Sequence, residues 1–223
     1  MDAAEINYIK KPQLKNTTLI EGLPGIGLVG KLATDHLLDE LETSKFAELT
    51  SCHLPPQVTI QSDGTIKLVN MQFHYMQRQR GDLVLLSGDF QGITPESQYL
   101  ISEKILSEMM PLNLNRIYTL GGLGTGSVTH NPRVFGAATR KDLVSEHERQ
   151  GVIFKGGGAI FGASGLLLGL GERRSIDGVC LMGETHGQII DAKSAEAVLK
   201  VLTQMLGLDV DMTALEQKAK ETE

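Results

Sequence analysis

Three glycine-rich clusters stand where strands are expected to end: Gly22-Leu23-Pro24-Gly25-Ile26-Gly27, Gly88-Asp89-Phe90-Gln91-Gly92 and Gly121-Gly122-Leu123-Gly124-Thr125-Gly126. Open α/β sheets bind ligands beyond the carboxyl ends of their strands, so these are the first places to look for chemistry. Gly25-x-Gly27-x-x-Gly30 has the spacing of a dinucleotide-binding turn, in which amide N–H groups at a helix N-terminus hold a pyrophosphate. Glu48, 18 residues beyond Gly30, stands roughly where a ribose-binding acid would be sought. Two features oppose that chemistry. Pro24 removes one donor from the approach, and Glu48 falls inside its predicted strand rather than at the end. The same glycines let a tight turn form and a helix pack close to a sheet, and that role is favoured. Gly25, Gly27, Gly30, Gly122, Gly124 and His186 form the candidate set for a loop that holds an anion or small ligand.

Side chains capable of catalysis are scattered. Gly162-Ala163-Ser164-Gly165 approaches a nucleophile elbow, but Leu166 occupies the position that needs glycine, and Ser164 is expected to cap a helix. His147-Glu148 lacks the second histidine of a zinc-protease helix. His186, after a strand end and near Asp191, is the best general-base candidate, although a lone loop histidine is ordinarily just solvated. Arg133, in Thr129-His130-Asn131-Pro132-Arg133, offers a cation for an anion, with a surface turn as the plainer role. Asp89 follows a strand, where aspartate commonly forms turns. No catalytic residue, metal site or cofactor is assigned from these residues.

The elements that must position them alternate. Thr17 to Glu21 reads as a strand, followed by a helix with Leu28, Leu32, His36 or Leu37, and Leu41 at helical spacing. Phe46 to Ser51 and Gln57 to Ile60 read as strands. Ser62-Asp63-Gly64-Thr65 reads as a hairpin turn whose second arm takes Ile66, Leu68 and Asn70 to Phe73. Asp82 to Ser87 is a continuous apolar strand of the kind covered on both faces. Thr94 and Pro95 open a helix as N-cap and first residue, with Tyr99, Leu100, Ile105, Leu106 and Met109 as its buried face. Strands over Arg116 to Leu120, Val134 to Thr139 and Asp177 to Gly183 follow. Leu143 to Gln150 is expected as a short polar helix or a loop, and helices are expected over Ala163 to Leu170 and Ala192 to Leu206, the last burying Ala195, Val198, Leu199, Leu202 and Met205. The pattern predicts one α/β domain over residues 1–208: three layers, a mainly parallel sheet with helices on both faces, and a small antiparallel insertion at Pro55 to Phe73. Residues 209–223 are expected to form a charged C-terminal helix, capped by Asp211 or Thr213, with Met212, Leu215 and Ala219 as a thin apolar stripe.

Composition narrows the function. The 223 residues carry 21 Lys and Arg against 27 Asp and Glu, a net charge of −6 that opposes nonspecific nucleic-acid binding. Aromatics make up 4% with no Trp, which argues against a base-stacking platform. Hydrophobic residues at 41% and charged residues at 22% describe a globular chain. The two cysteines, Cys52 and Cys180, exclude a disulfide framework or zinc ribbon and are expected to be buried thiols. Met1-Asp2-Ala3-Ala4-Glu5 lacks the basic and apolar regions of a secretion signal, and Ile160 to Leu170 is too short to span a bilayer. A cytoplasmic protein that does not engage membranes is expected. The Ile160 to Leu170 stretch is apolar on almost every face and is expected to be covered all round, mostly by the core and partly by a neighbouring subunit.

Taken in order, the motifs resemble a known family. Glu21-Gly22-Leu23-Pro24-Gly25-Ile26-Gly27-Leu28-Val29-Gly30-Lys31, Gly88-Asp89-Phe90-Gln91 and Leu120-Gly121-Gly122 come first. Gly162-Ala163-Ser164-Gly165-Leu166-Leu167-Leu168-Gly169, Gly183-Glu184-Thr185 and Asp191-x-x-Ser194-Ala195 follow. The succession, from about Thr17 to Leu215, resembles the proteasome assembly chaperone family in its archaeal and bacterial branch, related to the second eukaryotic assembly chaperone. The resemblance implies a phosphorylase/hydrolase-like α/β fold, a homo-oligomer, no established catalysis, and ATP-independent guidance of proteasome α subunits during assembly. It carries over no catalytic residue. Archaeal relatives that engage the α ring are associated with a hydrophobic-Tyr-any ending, whereas this chain ends Lys220-Glu221-Thr222-Glu223. The competing expectation is a phosphorylase- or hydrolase-like enzyme that holds a small anionic substrate at the glycine loops.

Overall fold

A computed structural model describes residues 3–221. In chain order its first half runs β1 (Glu5–Tyr8), β2 (Thr17–Gly22), α1 (Val29–Glu40), β3 (Ser44–Thr50), β4 (Val58–Ile60), β5 (Ile66–Leu68), β6 (Met71–Met76), β7 (Leu83–Gly88) and α2 (Pro95–Met109). The second half runs β8 (Leu114–Gly124), β9 (Val134–Ala138), α3 (Lys141–Glu148), β10 (Ile153–Phe154), α4 (Ala163–Glu172), β11 (Asp177–Thr185), α5 (Ala192–Leu206) and α6 (Thr213–Glu221). Met1-Asp2 and Thr222-Glu223, on which the expectations about the two chain ends partly rest, lie outside the described residues.

Nine strands form one sheet in the order β1-β3-β6-β7-β2-β8-β11-β9-β10. The centre, β7-β2-β8-β11, is parallel, as the continuous apolar runs predict. The flanks are not. β6, β3 and β1 add antiparallel on one side, and β9 returns antiparallel to β11 on the other. Of these pairs only β6 and β7 are joined by a short connection, a few residues that can reverse the chain but cannot carry it back to a parallel start. The antiparallel part is therefore larger than the expected insertion. Only β4 and β5 form the separate hairpin, and Met71 to Phe73, expected in its second arm, belongs to β6 of the main sheet.

Alternation along the strands sorts the core into two layers, since successive side chains face opposite sides. Leu19, Val84, Leu86, Ile117 and Cys180 face the layer that contains α2 and α4. Ile20, Leu83, Leu85, Tyr118 and Leu181 face the layer that contains α1, α3, α5 and α6. Two predicted helix faces are displaced. α1 buries Val29, Ala33 and Leu37 instead of Leu28 and Leu32, because Leu28 still lies in the turn at φ 52° and the helix starts one residue later. α2 buries Ile101, Ile105, Leu106 and Met109, while Tyr99 and Leu100 are exposed. Its start is as predicted: Thr94 Oγ1 accepts from Ser97 N–H at 3.1 Å and Ser97 Oγ accepts from Thr94 N–H at 2.8 Å. Asp191 caps α5 by accepting from Ser194 N–H, Asp211 accepts from Thr213 N–H, and Leu215 and Ala219 of α6 are buried in the second layer.

Candidate functional site

The carboxyl ends of the four parallel strands share one edge of the sheet, and the glycine clusters meet there. β8 does not stop at Leu120. Gly121, Gly122 and Gly124 remain paired with Met182, Gly183 and Thr185 of β11, so these glycines are strand residues rather than a turn. The missing side chain of Gly122 leaves room for the turn that enters α1. A Cβ on Gly122 would lie 2.4 Å from the Ile26 carbonyl oxygen, and one on Gly30 would lie 2.1 Å from the Leu120 carbonyl oxygen. Gly27, at φ 63°, packs against Thr185, and its carbonyl accepts from Asp191 N–H at 2.9 Å, tying the entry of α1 to that of α5. Of the candidate set, Gly27, Gly122 and Gly124 thus gather around Ile26 and Thr185. Gly30 lies against β8, Gly25 has open space around it, and His186 directly follows Thr185 with its Nδ1 buried and unpartnered.

Beside this interlock lies a crevice of about 440 Å³, with Leu23, Ile26, Leu120, Ile160, Phe161 and Met182 among its apolar walls. Its frame is held by Gln91. The side-chain oxygen of Gln91 accepts from Ala163 N–H at 3.1 Å, capping α4, and its amide nitrogen donates to the Pro24 carbonyl at 2.6 Å. Gln98 donates to the same Gln91 oxygen at 3.2 Å. Exposed apolar side chains stand along this edge of the sheet, beside exposed polar ones such as Asp89, Thr125 and Gln188. Phe161 is 86% exposed, and Ile26, Ile93, Val128, Ile189 and Ile190, which follow the ends of β2, β7, β8 and β11, are exposed as well. Within the single chain the core covers only part of the Ile160 to Leu170 stretch. Leu167, Leu168 and Leu170 are buried, while Phe161 and Gly169 face outward.

Under the crevice runs a polar row that the motif search did not single out as a site: Glu21, Thr119 and Cys180, aligned across β2, β8 and β11. Glu21 is fully buried; Oε1 accepts from Leu23 N–H at 3.0 Å and Oε2 from the Ser164 hydroxyl at 2.9 Å. Burial raises its pKa to about 7, and those two hydrogen bonds only partly oppose the shift. Burial likewise pushes the Cys180 thiol up to about 12. Thr119 Oγ1 is buried without a hydrogen bond of ordinary geometry, the nearby thiol offering at most a weak one. The signal in the sequence was a lone glutamate closing the apolar run Leu19-Ile20-Glu21.

The remaining candidates are committed elsewhere. Ser164 does not cap α4, whose N-cap is Gly162; it sits inside the first turn and donates to Glu21. Arg133 is neutralised by a two-point pair with Glu184, at 2.8 and 2.6 Å, which removes it as an anion receptor. Asp89 lies 3.3 Å from Lys31 Nζ. Glu48 is on β3, separated from β2 by β6 and β7, and pairs with Lys45 and Lys67, so it cannot serve a ligand at Gly30. His147 is buried, with Nδ1 bonded to the Leu143 carbonyl at 2.7 Å and Nε2 3.0 Å from the Tyr118 hydroxyl. Cys52, expected to be buried, is exposed in the loop after β3. Among the described residues no cluster of His, Cys, Asp and Glu can hold a metal ion, and no helix is long and apolar enough to cross a membrane.

The fold is a mixed α/β sheet whose strand ends are packed by backbone, and the chain belongs to the PAC2 family, whose model matches residues 19–223. The chain is 39% identical to PbaB of Pyrococcus furiosus, an archaeal proteasome activator, whose crystal structure it matches with a TM-score of 0.94 over 100% of this chain and 96% of that one. PbaA of Pyrococcus furiosus, an archaeal homolog of proteasome-assembly chaperone, is 28% identical, with a TM-score of 0.83 over 97% of this chain and 92% of that one. Uncharacterized protein MJ1210 of Methanocaldococcus jannaschii is 40% identical over 208 residues, 93% of this chain and 80% of that protein.

Proposed function

We propose that this chain is an ATP-independent, chaperone-like protein of the cytoplasm that binds proteasome α subunits or a related client as a homo-oligomer, without catalysis. The observation that carries the reading is the set of exposed apolar side chains that rims the carboxyl ends of the parallel strands, led by Phe161. Exposed apolar patches of this kind mark protein contact sites. The 39% identity to a protein described as a proteasome activator points the rim toward the proteasome. The glycines around Ile26 serve the reading by packing backbone on backbone, which leaves the turn filled rather than open to a phosphate. We also read the chain as one α/β domain of phosphorylase/hydrolase-like arrangement, with α6 as a closing helix. The enzyme reading has less support, since Arg133, Asp89 and Ser164 are each engaged by a neighbour and, of the catalytic candidates, only His186, with its Nδ1 unpartnered among the described residues, stays uncommitted.

The test is capture of recombinant proteasome α subunits by the wild-type chain and by Phe161→Asp. An aspartate at so exposed a position leaves folding intact and is expected to abolish capture. Capture that survives Phe161→Asp and Ile93→Asp together refutes the surface assignment, and absence of capture by the wild type refutes the function.

A further inference from the structure

Glu21 is a buried carboxyl group that no cation among the described residues compensates; its polar neighbours are an amide N–H, a hydroxyl and a thiol. An ionised carboxylate in such a place is costly unless a positive charge approaches. The crevice above it supplies the approach. Ser164 lines the crevice and gives its proton to Glu21, so its oxygen can only accept from whatever enters. Thr119 Oγ1, in the row below, is an unpartnered hydroxyl. Glu21 and Thr119 lie behind the lining, and Glu21 reaches the crevice only through Ser164, whose accepting oxygen favours a hydrogen-bond donor over an anion. The walls Leu23, Ile26, Leu120, Ile160 and Met182 favour an apolar stem, and about 440 Å³ accommodates one of four or five carbons.

We propose that the crevice at the ends of β2, β8 and β11 receives a primary alkylammonium group, whose methylene stem lies along the apolar walls, whose nitrogen donates to Ser164 Oγ, and whose charge is matched by Glu21. The amine comes either from a lysine side chain of a docked protein or from a free alkylamine. The first source rests on the docking surface proposed above.

The chemistry predicts its own pH profile. Ionised Glu21 is the form that pairs with the ammonium, so affinity rises with pH up to about 7 and then levels off. Of the groups facing Glu21, Cys180 on β11 stays protonated, while Thr119 on β8, Leu86 on β7 and Ser164 on α4 carry no charge.

The test is titration of the full chain, isoleucine methyls labelled for NMR, with n-pentylamine, 1-pentanol, pentanoate and a blocked Gly-Gly-Lys-Gly-Gly peptide. Pentylamine is expected to shift the Ile26 and Ile160 methyls and to bind about tenfold or more tightly than pentanol, the worth of a charged hydrogen bond. Pentanoate is expected not to bind. Glu21→Gln, which keeps the shape and an acceptor for Ser164, is expected to lose about tenfold in amine affinity together with the rise toward pH 7. Ser164→Ala, which leaves the carboxylate, is expected to weaken binding but keep that rise. Tighter binding of the peptide assigns the site to a protein lysine, and tighter binding of pentylamine to a free amine. Equal affinity of wild type and Glu21→Gln for pentylamine, or of pentylamine and pentanol for the wild type, overturns the proposal. Failure here with Phe161-dependent capture intact leaves the docking surface standing; the converse leaves the amine site standing.

Discussion

Replacing Gly30 by alanine tests the contact on which the strand-end architecture rests. An added Cβ would lie 2.1 Å from the Leu120 carbonyl oxygen and 2.8 Å from its carbon, against 3.4 Å or more for ordinary contact. The deficit of about 1.3 Å falls on the backbone of a central strand, which cannot yield, so α1 must lift. Val29, Ala33 and Leu37 are fully buried and would lose contact as it does. Overpacking of this kind costs ~1–3 kcal/mol, and a backbone clash belongs at the upper end. Alanine recovers ~1 kcal/mol of helix propensity, leaving a net loss of about 2 kcal/mol. For a chain of this length that lowers Tm by about 4–8 °C. Gly169→Ala is the control: it sits mid-helix, exposed, with nothing within 4 Å of the added atom, and is expected to raise stability by ~1 kcal/mol. Urea denaturation followed by circular dichroism, with thermal melts, measures both. Gly30→Ala as stable as the wild type, beside a normally stabilised Gly169→Ala, would refute close packing of α1 on β8.

Glu21 and Tyr118 offer two more tests. The carboxyl of Glu21 binds its proton more tightly in the folded chain, near pH 7, than at its ordinary 4.5, so its stabilisation is fully present below pH 4.5 and is lost as pH rises through 7. The decline amounts to at most ~3.5 kcal/mol at ~1.4 kcal/mol per unit, and Glu21→Gln removes it. Urea melts from pH 4 to 8 should therefore show Glu21→Gln gaining on the wild type across that window, and a constant difference would contradict the assignment. Tyr118→Phe strips the buried His147 Nε2 of its 3.0 Å hydrogen bond. It is expected to cost about 1–2 kcal/mol in the same assay, and a neutral effect would show that the pair contributes nothing.

The parallel centre was legible because Leu83 to Leu86 and Val179 to Leu181 are apolar without interruption, and α2 and α5 announced themselves through Thr94, Pro95 and the spacing of Ala195 to Leu202. The flanking strands were harder to read. β1 is four residues of alternating exposure and β10 only two, so neither offers enough periodicity to recognise. The glycines of β8 misled because glycine usually breaks a strand; here Gly122 stays extended so that Ile26 can lie across it. Ser164 and Arg133 were visible as residues, but their partners Glu21 and Glu184 lie 143 and 51 positions away in sequence, a distance that local patterns do not bridge. Gln91 escaped notice for the same reason: its side chain joins the Pro24 turn to the start of α4, two segments that only the folded sheet brings together.

Glycine against carbonyl, at Gly30 on Leu120 and Gly122 on Ile26, leaves the strand ends no slack to rearrange. A visitor to that edge meets a stiff platform, so little ordering entropy is lost from this side when the two come together. Discrimination must then come from the incoming shape, and a poorly matched surface finds no soft spot to mould around it.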